Sequence, residues 1–341
     1  MNFGLGQFTL QIPPWDARSH ADLYADTLEL AALADDAGFD SFWLAEHHGA
    51  ADGYVSGLLP FLSAVAARTS RIELGTAVML TPFHDPIRIA EDAAVVDNIA
   101  GGRLNLGLGL GWAPEEYRMF GAPTKGRGRR LAEFAQVLRA AFTQERFTFE
   151  GEHLSYTDVS VTPKPPRAIP IWLGGSAEPA LRRAAQHGDG YFPPSTTGGP
   201  ETLVQRAEEV LAIRRELGID APFRFGAFVP TAIGRDADEA WETIRDGVLH
   251  VRGSYMLWAQ NERDVTKARD STVPFADAVR EGCLVGTGAQ IAEALKPACE
   301  KLDAIAPGSF ISAILVPPGV PRAKGAEQIE RYANEVIAKL R

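Results

Sequence analysis

From Arg71 to Gly121 the chain reads RIELGTAVMLTPFHDPIRIAEDAAVVDNIAGGRLNLGLGLGWAPEEYRMFG. Arg71–Val78 and Arg103–Leu108 carry the alternating or continuous apolar pattern of strands. Between them, Ile87–Ile99 repeats its apolar residues at helical spacing, and Gly101-Gly102 stops the helix. Strand, helix and strand at this separation make a βαβ unit, with the two strands parallel and the crossover right-handed. The residues after each strand therefore gather at the carboxyl edge of one sheet. Two unusual loops fall there: Thr81–Pro86 after the first strand, and Gly109-Leu110-Gly111-Trp112 after the second. Parallel α/β folds bind their ligands at that edge.

The same grammar extends in both directions. Strand-like segments at Phe3–Thr9, Phe39–Leu44, Ile169–Leu173, Gly190–Phe192 and Phe223–Val229 are separated by helical patterns, and Leu284–Gly286 and Phe310–Val316 supply the last strand-like pieces. About eight strands, each followed by a helix, predict an α/β (β/α)₈ TIM barrel with insertions in its carboxyl-face loops. A doubly wound open sheet is the rival. It usually puts a glycine-rich phosphate loop after the first strand, and residues 10–18 contain no glycine. The whole of 1–341 reads as one barrel domain. Phe147–Pro166 breaks the alternation and is expected to be an excursion, a small hairpin, and the charged stretch Asn261–Thr272 within 252–281 is expected to be mobile.

Composition narrows the function. With 34 basic and 44 acidic residues the net charge is −10, which argues against nucleic acid. No apolar run is long enough to span a bilayer, the first residues lack a signal-peptide pattern, and only Cys283 and Cys299 occur, so a reduced cytoplasmic setting is expected.

Three motifs carry chemistry. Glu46-His47-His48 follows the second strand at the mouth of the predicted barrel, where a neutral imidazole beside a carboxylate suits hydrogen bonding or proton handling near pH 7. A metal is the weaker reading, because two adjacent histidines rarely point at one ion and His84-Asp85 is the only similar pair nearby. Alternating glycines in Gly107–Gly111 let a flat ligand approach the backbone, or pack a tight strand end against a neighbour. Gly174-Gly175-Ser176-Ala177 opens a helix after a late strand, which suits a phosphate, although Ser176 could equally be an ordinary N-cap. Arg127, Arg129 and Arg130, in the basic cluster Lys125–Arg130, could reach that phosphate or remain a solvated face.

Together, Phe39–Gly49 (FDSFWLAEHHG), Arg71–Pro86, Ile87–Gly121, Val161–Gly190 and, more weakly, Leu284–Leu295 resemble the bacterial luciferase-like flavin-dependent monooxygenase family, in order and over nearly the whole chain. The resemblance implies a (β/α)₈ barrel, often dimeric, with a lid. It implies that His47 stands near the flavin ring with Glu46 behind it, and that Ala77-Val78 is a non-prolyl cis link against which the ring packs. Gly109, Leu110, Gly111 and Trp112 would line the same pocket. Gly174, Gly175, Ser176 and Ala177 would hold the phosphate, helped by Arg127, Arg129 or Arg130. Phe8, Trp43, Phe83 and Trp112 are expected to form an apolar, water-excluding wall. The implied reaction is a two-component one: a separate reductase supplies reduced FMN, O2 forms a flavin C4a-hydroperoxide, and one oxygen atom passes to a small organic substrate. Leu110 stands where many members carry arginine, and Gly-Leu-Gly-Trp followed by Pro-Glu-Glu-Tyr resembles a deazaflavin (coenzyme F420) branch that transfers hydride. A flavin-binding protein without turnover is a third possibility on the same fold.

Overall fold

The computed structural model describes residues 1–194 and 200–341. Its strands are β1 (Asn2–Phe8), β2 (Ser41–Leu44), β3 (Glu73–Leu80), β4 (Leu104–Gly109), β5 (Phe147–Glu150), β6 (Ser155–Val159), β7 (Ile171–Gly174), β8 (Gly190–Phe192), β9 (Arg224–Ile233), β10 (Leu284–Gly286) and β11 (Phe310–Ile314). The helices that position the site are α1 (His20–Asp36), α2 (Leu58–Ala66), α3 (Pro86–Ala100), α4 (Pro114–Phe120), α5 (Arg127–Thr143), α6 (Glu178–His187), α7 (Pro200–Glu216) and α8 (Ala237–Ala259).

Strands β1, β2, β3, β4, β7, β8, β9 and β11 pair in parallel in that order, and β11 returns to β1, so the sheet closes into the expected barrel. Both faces of such strands are covered, so β2 and β4 are buried at every position and read as continuous rather than alternating segments. Inside the barrel Trp43 stacks on Phe310 with ring centres 4.8 Å apart, and Trp172 stacks on Phe192 at 4.9 Å. Room for Trp43 comes from Gly75 on the neighbouring strand, where a Cβ would lie 2.0 Å from the indole. Below this aromatic layer, at the amino ends of the strands, Asn105 accepts from Trp172 Nε1 at 3.2 Å and Arg224 at 2.9 Å, and Arg224 pairs with Glu73 at 3.2 Å. That end is plugged, which leaves the carboxyl end for ligands.

The helices begin where local chemistry dictates. Ser19 and Asp22 form a reciprocal capping box on α1. Asp85 accepts from the amides of Ile87 and Arg88, with Pro86 as the first helical residue of α3, which ends at Gly101 in the left-handed region. At the far end of α1, the buried Asp35 carboxylate accepts from the amides of Ser70 at 2.6 Å and Ile72 at 2.9 Å, tying the helix to the start of β3.

Residues 147–166 do contain a hairpin, β5 antiparallel to β6. The 252–281 stretch is largely helical. Helix α8 continues to Ala259, and two short helices, α9 (Ala268–Thr272) and α10 (Ala276–Glu281), follow it. Trp258, Val265 and Ala268 are buried, and Gly253 lets the chain pass so close that a Cβ there would lie 1.7 Å from Ala268 O. Apolar residues spaced through charged sequence thus fold the segment onto α8. Strand β10 is real but lies outside the barrel, paired with Thr231–Ile233 at the far end of β9. Helices α11 (Gly288–Ile305), α12 (Arg322–Tyr332) and α13 (Ala338–Leu340) complete the chain. No helix among the described residues is long and apolar enough to cross a membrane.

Candidate active site

A cleft of about 600 Å³ opens at the carboxyl mouth of the barrel. Glu46, His47, Ala77, Val78, Gly109, Leu110, Gly111, Trp112, Gly174, Gly175, Ser176 and Ala177 all line it. Residues from four strand ends therefore meet in one space, although 131 positions separate Glu46 from Ala177 in the sequence.

At the β2 end, successive residues point in opposite directions. His47 Nδ1 lies 2.8 Å from Glu116 Oε1, the same oxygen that accepts from the amide of His48 at 2.9 Å. A carboxylate only accepts, so neutral His47 carries its proton on Nδ1 and leaves the Nε2 lone pair free. Nε2 has no hydrogen-bond partner among the described residues. Glu46 turns away from His47. Its Oε1 takes His48 Nε2 at 2.6 Å and His84 Nε2 at 2.7 Å, and its Oε2 accepts from the amide of Leu80 at 3.2 Å. The expectation that Glu46 stands behind His47 is thus corrected: Glu116 does, because adjacent residues leaving an extended strand project to opposite sides. Burial pushes the Glu46 carboxyl up, but the hydrogen bonds from His48 and His84 and their charge outweigh it and hold it below its ordinary value.

The ligating atoms of Glu46, His48 and His84 lie within 4.8 Å of one another, the one such trio among the described residues. Both imidazoles direct Nε2 at a single carboxylate oxygen, an arrangement of N–H donors closed on itself. It clamps the β2 loop to the end of β3.

Aromatic rings enclose His47: Trp258 at 4.8 Å between centres, Tyr54 at 4.9 Å, Tyr255 at 5.2 Å and Trp112 at 6.2 Å. The Tyr54 and Tyr255 hydroxyls are 3.1 Å apart, and burial drives both phenols up, so they stay neutral. Of the four residues expected as an apolar wall, only Trp112 lines the cleft. Trp43 fills the barrel interior, Phe8 stacks on Phe42, and Phe83 packs on Phe120. Trp43 and Phe8 belong to the core, and the half-buried Phe83 lies outside the cleft.

The floor is β3 and β4. The Ala77–Val78 peptide is cis, and Gln7 Nε2 donates to Ala77 O. Gly109 lies so close that a Cβ would sit 2.3 Å from Val78 Cγ2, so this glycine serves strand packing as well as the cleft. Arg127 does not line the cleft. It donates to Gly111 O at 3.3 Å and lies over the Tyr117 ring, bracing the Gly109–Trp112 turn. Arg129, two residues along the same helix and so on its other side, is exposed and pairs with Glu152. Neither arginine stands among the cleft residues.

At the β7 end, the N–H groups of Gly175, Ser176 and Ala177 find no acceptor among the described residues. Ala177, not Ser176, occupies the N-cap position of α6, and no side chain caps the helix. The ordinary capping role considered for Ser176 is therefore not taken. Arg183, on the same face of α6 as Ala180, reaches the cleft. Its Nε is buried without a partner among the described residues, and burial lowers its pKa. Free amides, a helix amino end and an unpaired guanidinium make an anion site. Sequence reading missed Arg183, Glu116, Tyr54 and Tyr255. The helical phase of Ala180 and Arg183 was the available signal for the first, and the Pro-Glu-Glu-Tyr turn for the second.

Comparison with known proteins identifies the family and the fold. The family model for luciferase-like monooxygenase matches residues 6–302. A 4-hydroxyprotoasukamycin monooxygenase from Streptomyces nodosus subsp. asukaensis is 29% identical over 304 residues, covering 85% of this chain and 81% of its own. An F420-dependent glucose-6-phosphate dehydrogenase from Kineococcus radiotolerans is 34% identical over 193 residues, 54% of this chain and 57% of its own. The crystal structure of the monooxygenase RslO1 from Streptomyces bottropensis superposes with a TM-score of 0.80 at 24% identity, covering 99% of both chains, and shares the fold. A match over nearly the entire barrel makes the chain an enzyme of the luciferase-like monooxygenase family.

Proposed function

We propose that the protein is the oxygenating component of a two-component system. It binds reduced FMN, delivered by a separate reductase, and with O2 places one oxygen atom on a small organic substrate. One observation carries this reading: a single cleft joins Arg183 and the amides of Gly175–Ala177, which have no acceptor among the described residues, to an enclosed imidazole, His47, across a floor of Ala77, Val78 and Gly109. Those parts match a flat ring system with a phosphate tail.

Gly175, Ser176, Ala177 and Arg183 would hold the phosphate, and the Ala77–Val78 floor would support the ring. When bound, reduced FMN supplies the activation of O2, which no amino-acid side chain provides. The protein's share is solvent control and proton placement. The rings of Tyr54, Trp112, Tyr255 and Trp258 screen His47 from bulk water, which strengthens polar contacts inside the cleft. Glu116 orients the imidazole so that Nε2 can take a proton in the cleft.

A second reading, hydride transfer with coenzyme F420, is favoured by Leu110 at the cleft in place of an arginine and by the dehydrogenase relative. Anaerobic titration of the apoprotein with reduced FMN and with reduced F420 separates the two. Tight binding of reduced FMN, followed by reductase-dependent oxygen uptake with substrate, is the expected result. Preference for the deazaflavin would transfer the assignment to the second reading, and uptake of neither coenzyme would end both.

A further inference from the structure

A smaller cavity of about 50 Å³ adjoins the main cleft, sharing Gln7 and Tyr255 as a common wall. This is room for roughly three or four water-sized groups. Its far walls, Pro230, Val248, Ile314 and Pro317 among them, are apolar. Two polar groups face it without partners. Thr9 is 7% exposed, and its Oγ1 has no hydrogen-bond partner among the described residues. Arg252, on α8, is half-buried, and its guanidinium makes no ion pair or hydrogen bond with any described residue.

The surroundings leave Arg252 without a counter-charge. The ionisable groups close enough to influence it are the Cys283 thiol and the Tyr255 phenol, both neutral at pH 7 because burial raises them. The acids elsewhere on the same helix are engaged: Asp238 by Arg280, Glu239 by Arg235, Glu242 by Arg245 and Asp246 by Arg269. In a chain with 44 acidic against 34 basic residues, acids are in surplus, yet none is placed here. Desolvating a guanidinium without an anion is costly, so its natural complement is a group that arrives from outside. A planar carboxylate fits a guanidinium in bidentate fashion, and a threonine hydroxyl adds a further donor. The phosphate of the proposed flavin does not need this site, because Arg183 and the amides of Gly175–Ala177, which have no acceptor among the described residues, line the main cleft and not this cavity.

We propose that the substrate carries a carboxylate, which Arg252 and Thr9 bind in this side cavity while the rest of the molecule reaches past Tyr255 toward His47. This rests on the reading that the main cleft holds the flavin. Arg252 would then set specificity without touching the reacting atoms.

Calorimetric titration at fixed low salt, with the flavin-free protein, tests the site directly. Benzoate and hexanoate are compared with their neutral isosteres benzamide and hexanamide. At least one acid should bind ten or more times tighter than its amide. Arg252→Gln should abolish the preference, Arg252→Lys should keep part of it, and Thr9→Val should weaken it about threefold. Reduced FMN should bind Arg252→Gln within twofold of the unsubstituted protein, which also shows that this variant is folded. Absence of any acid preference in the unsubstituted protein, or its survival in a folded Arg252→Gln, overturns the proposal. An acid preference in a protein that takes up no reduced FMN keeps this site and removes only the cofactor reading.

Discussion

Placing a negative charge on the loop proposed to hold the phosphate is the sharpest probe of the cleft's polarity. Ser176→Asp puts a carboxylate beside the amides of Gly175, Ser176 and Ala177, which have no acceptor within the described chain. At roughly 5 Å, two unit charges repel by about 0.8 kcal/mol at an effective dielectric constant of 80 and about 3.3 kcal/mol at 20. The loop lies at the edge of an open cleft, so the effect should fall between these bounds, a four- to 250-fold loss of affinity for each phosphate charge by that arithmetic, within about a factor of three. An ordinary surface substitution changes affinity far less. The assay is anaerobic titration with reduced FMN and, in parallel, with reduced riboflavin, which has the same ring and no phosphate. FMN affinity should fall by the stated factor and riboflavin affinity should not. Raising the ionic strength should recover part of the loss, since a charge effect at an exposed site is screened. If the two dissociation constants move together, the substitution has disturbed the loop's shape. If neither moves, the phosphate binds elsewhere and the orientation of the ligand in the cleft is wrong.

Three further outcomes follow from the same geometry. Arg183→Gln should weaken reduced FMN tenfold or more while Arg129→Ala leaves it unchanged, because the second guanidinium is turned to Glu152 outside the cleft. Glu116→Gln offers His47 Nδ1 a donor as readily as an acceptor and so releases the tautomer. Loss of a charge-assisted hydrogen bond of about 1.5–3 kcal/mol predicts a ten- to 150-fold fall in oxygen-dependent turnover and a displaced pH profile, with reduced-FMN affinity within threefold. Normal turnover and an unshifted profile would refute the positioning role. Asp35→Asn should destabilise by about 1–3 kcal/mol in urea unfolding, since it loses the charge that accepts from the amides of Ser70 and Ile72 and turns an N–H donor toward one of them. Burial raises the Asp35 carboxyl, but those amide bonds outweigh it, so its folded pKa lies below the ordinary carboxylate value. Its stabilisation is therefore complete above about pH 4 and disappears as pH falls through the lower folded value. The gap between the two proteins should close in acid, and a gap that widens there would contradict the assignment.

The barrel was legible because each strand and helix carries its own period. The strand at Leu104–Gly109, the helix at Pro86–Ala100 and the stop at Gly101 are all local facts. The 252–281 segment shows how composition misleads. Its charges suggested only a mobile stretch, while Val265, Ala268 and Thr272, spaced as one face of a helical path, are buried. A periodic minority of apolar residues outweighs a charged majority once a surface is available to receive it. Here the surface is the groove left open by Gly253.

The site divides along the same line between local and non-local causes. That Gly174–Ala177 opens a helix beside the cleft could be read from sequence because free amides arise from backbone geometry, a strand running through two glycines into a helix, and that geometry is encoded within a few residues. Side-chain pairs are a different matter. Whether His47 finds Glu46 or Glu116 depends on where β2 stops relative to α4, which lies beyond two more strands and is set only when β2, β3 and β4 align in register. Arg183 displaces Arg127 and Arg129 for a similar reason: the turn after Gly121 fixes the phase of α5 and sends Arg127 to Gly111 O, so the cation facing the cleft has to come from α6. The Arg252 cavity is the extreme case, since β1, β9, α8 and the turn after β11 each contribute a wall. Chemistry carried by backbone can thus be read along the chain, whereas chemistry carried by paired or unpaired side chains is decided only when the barrel closes.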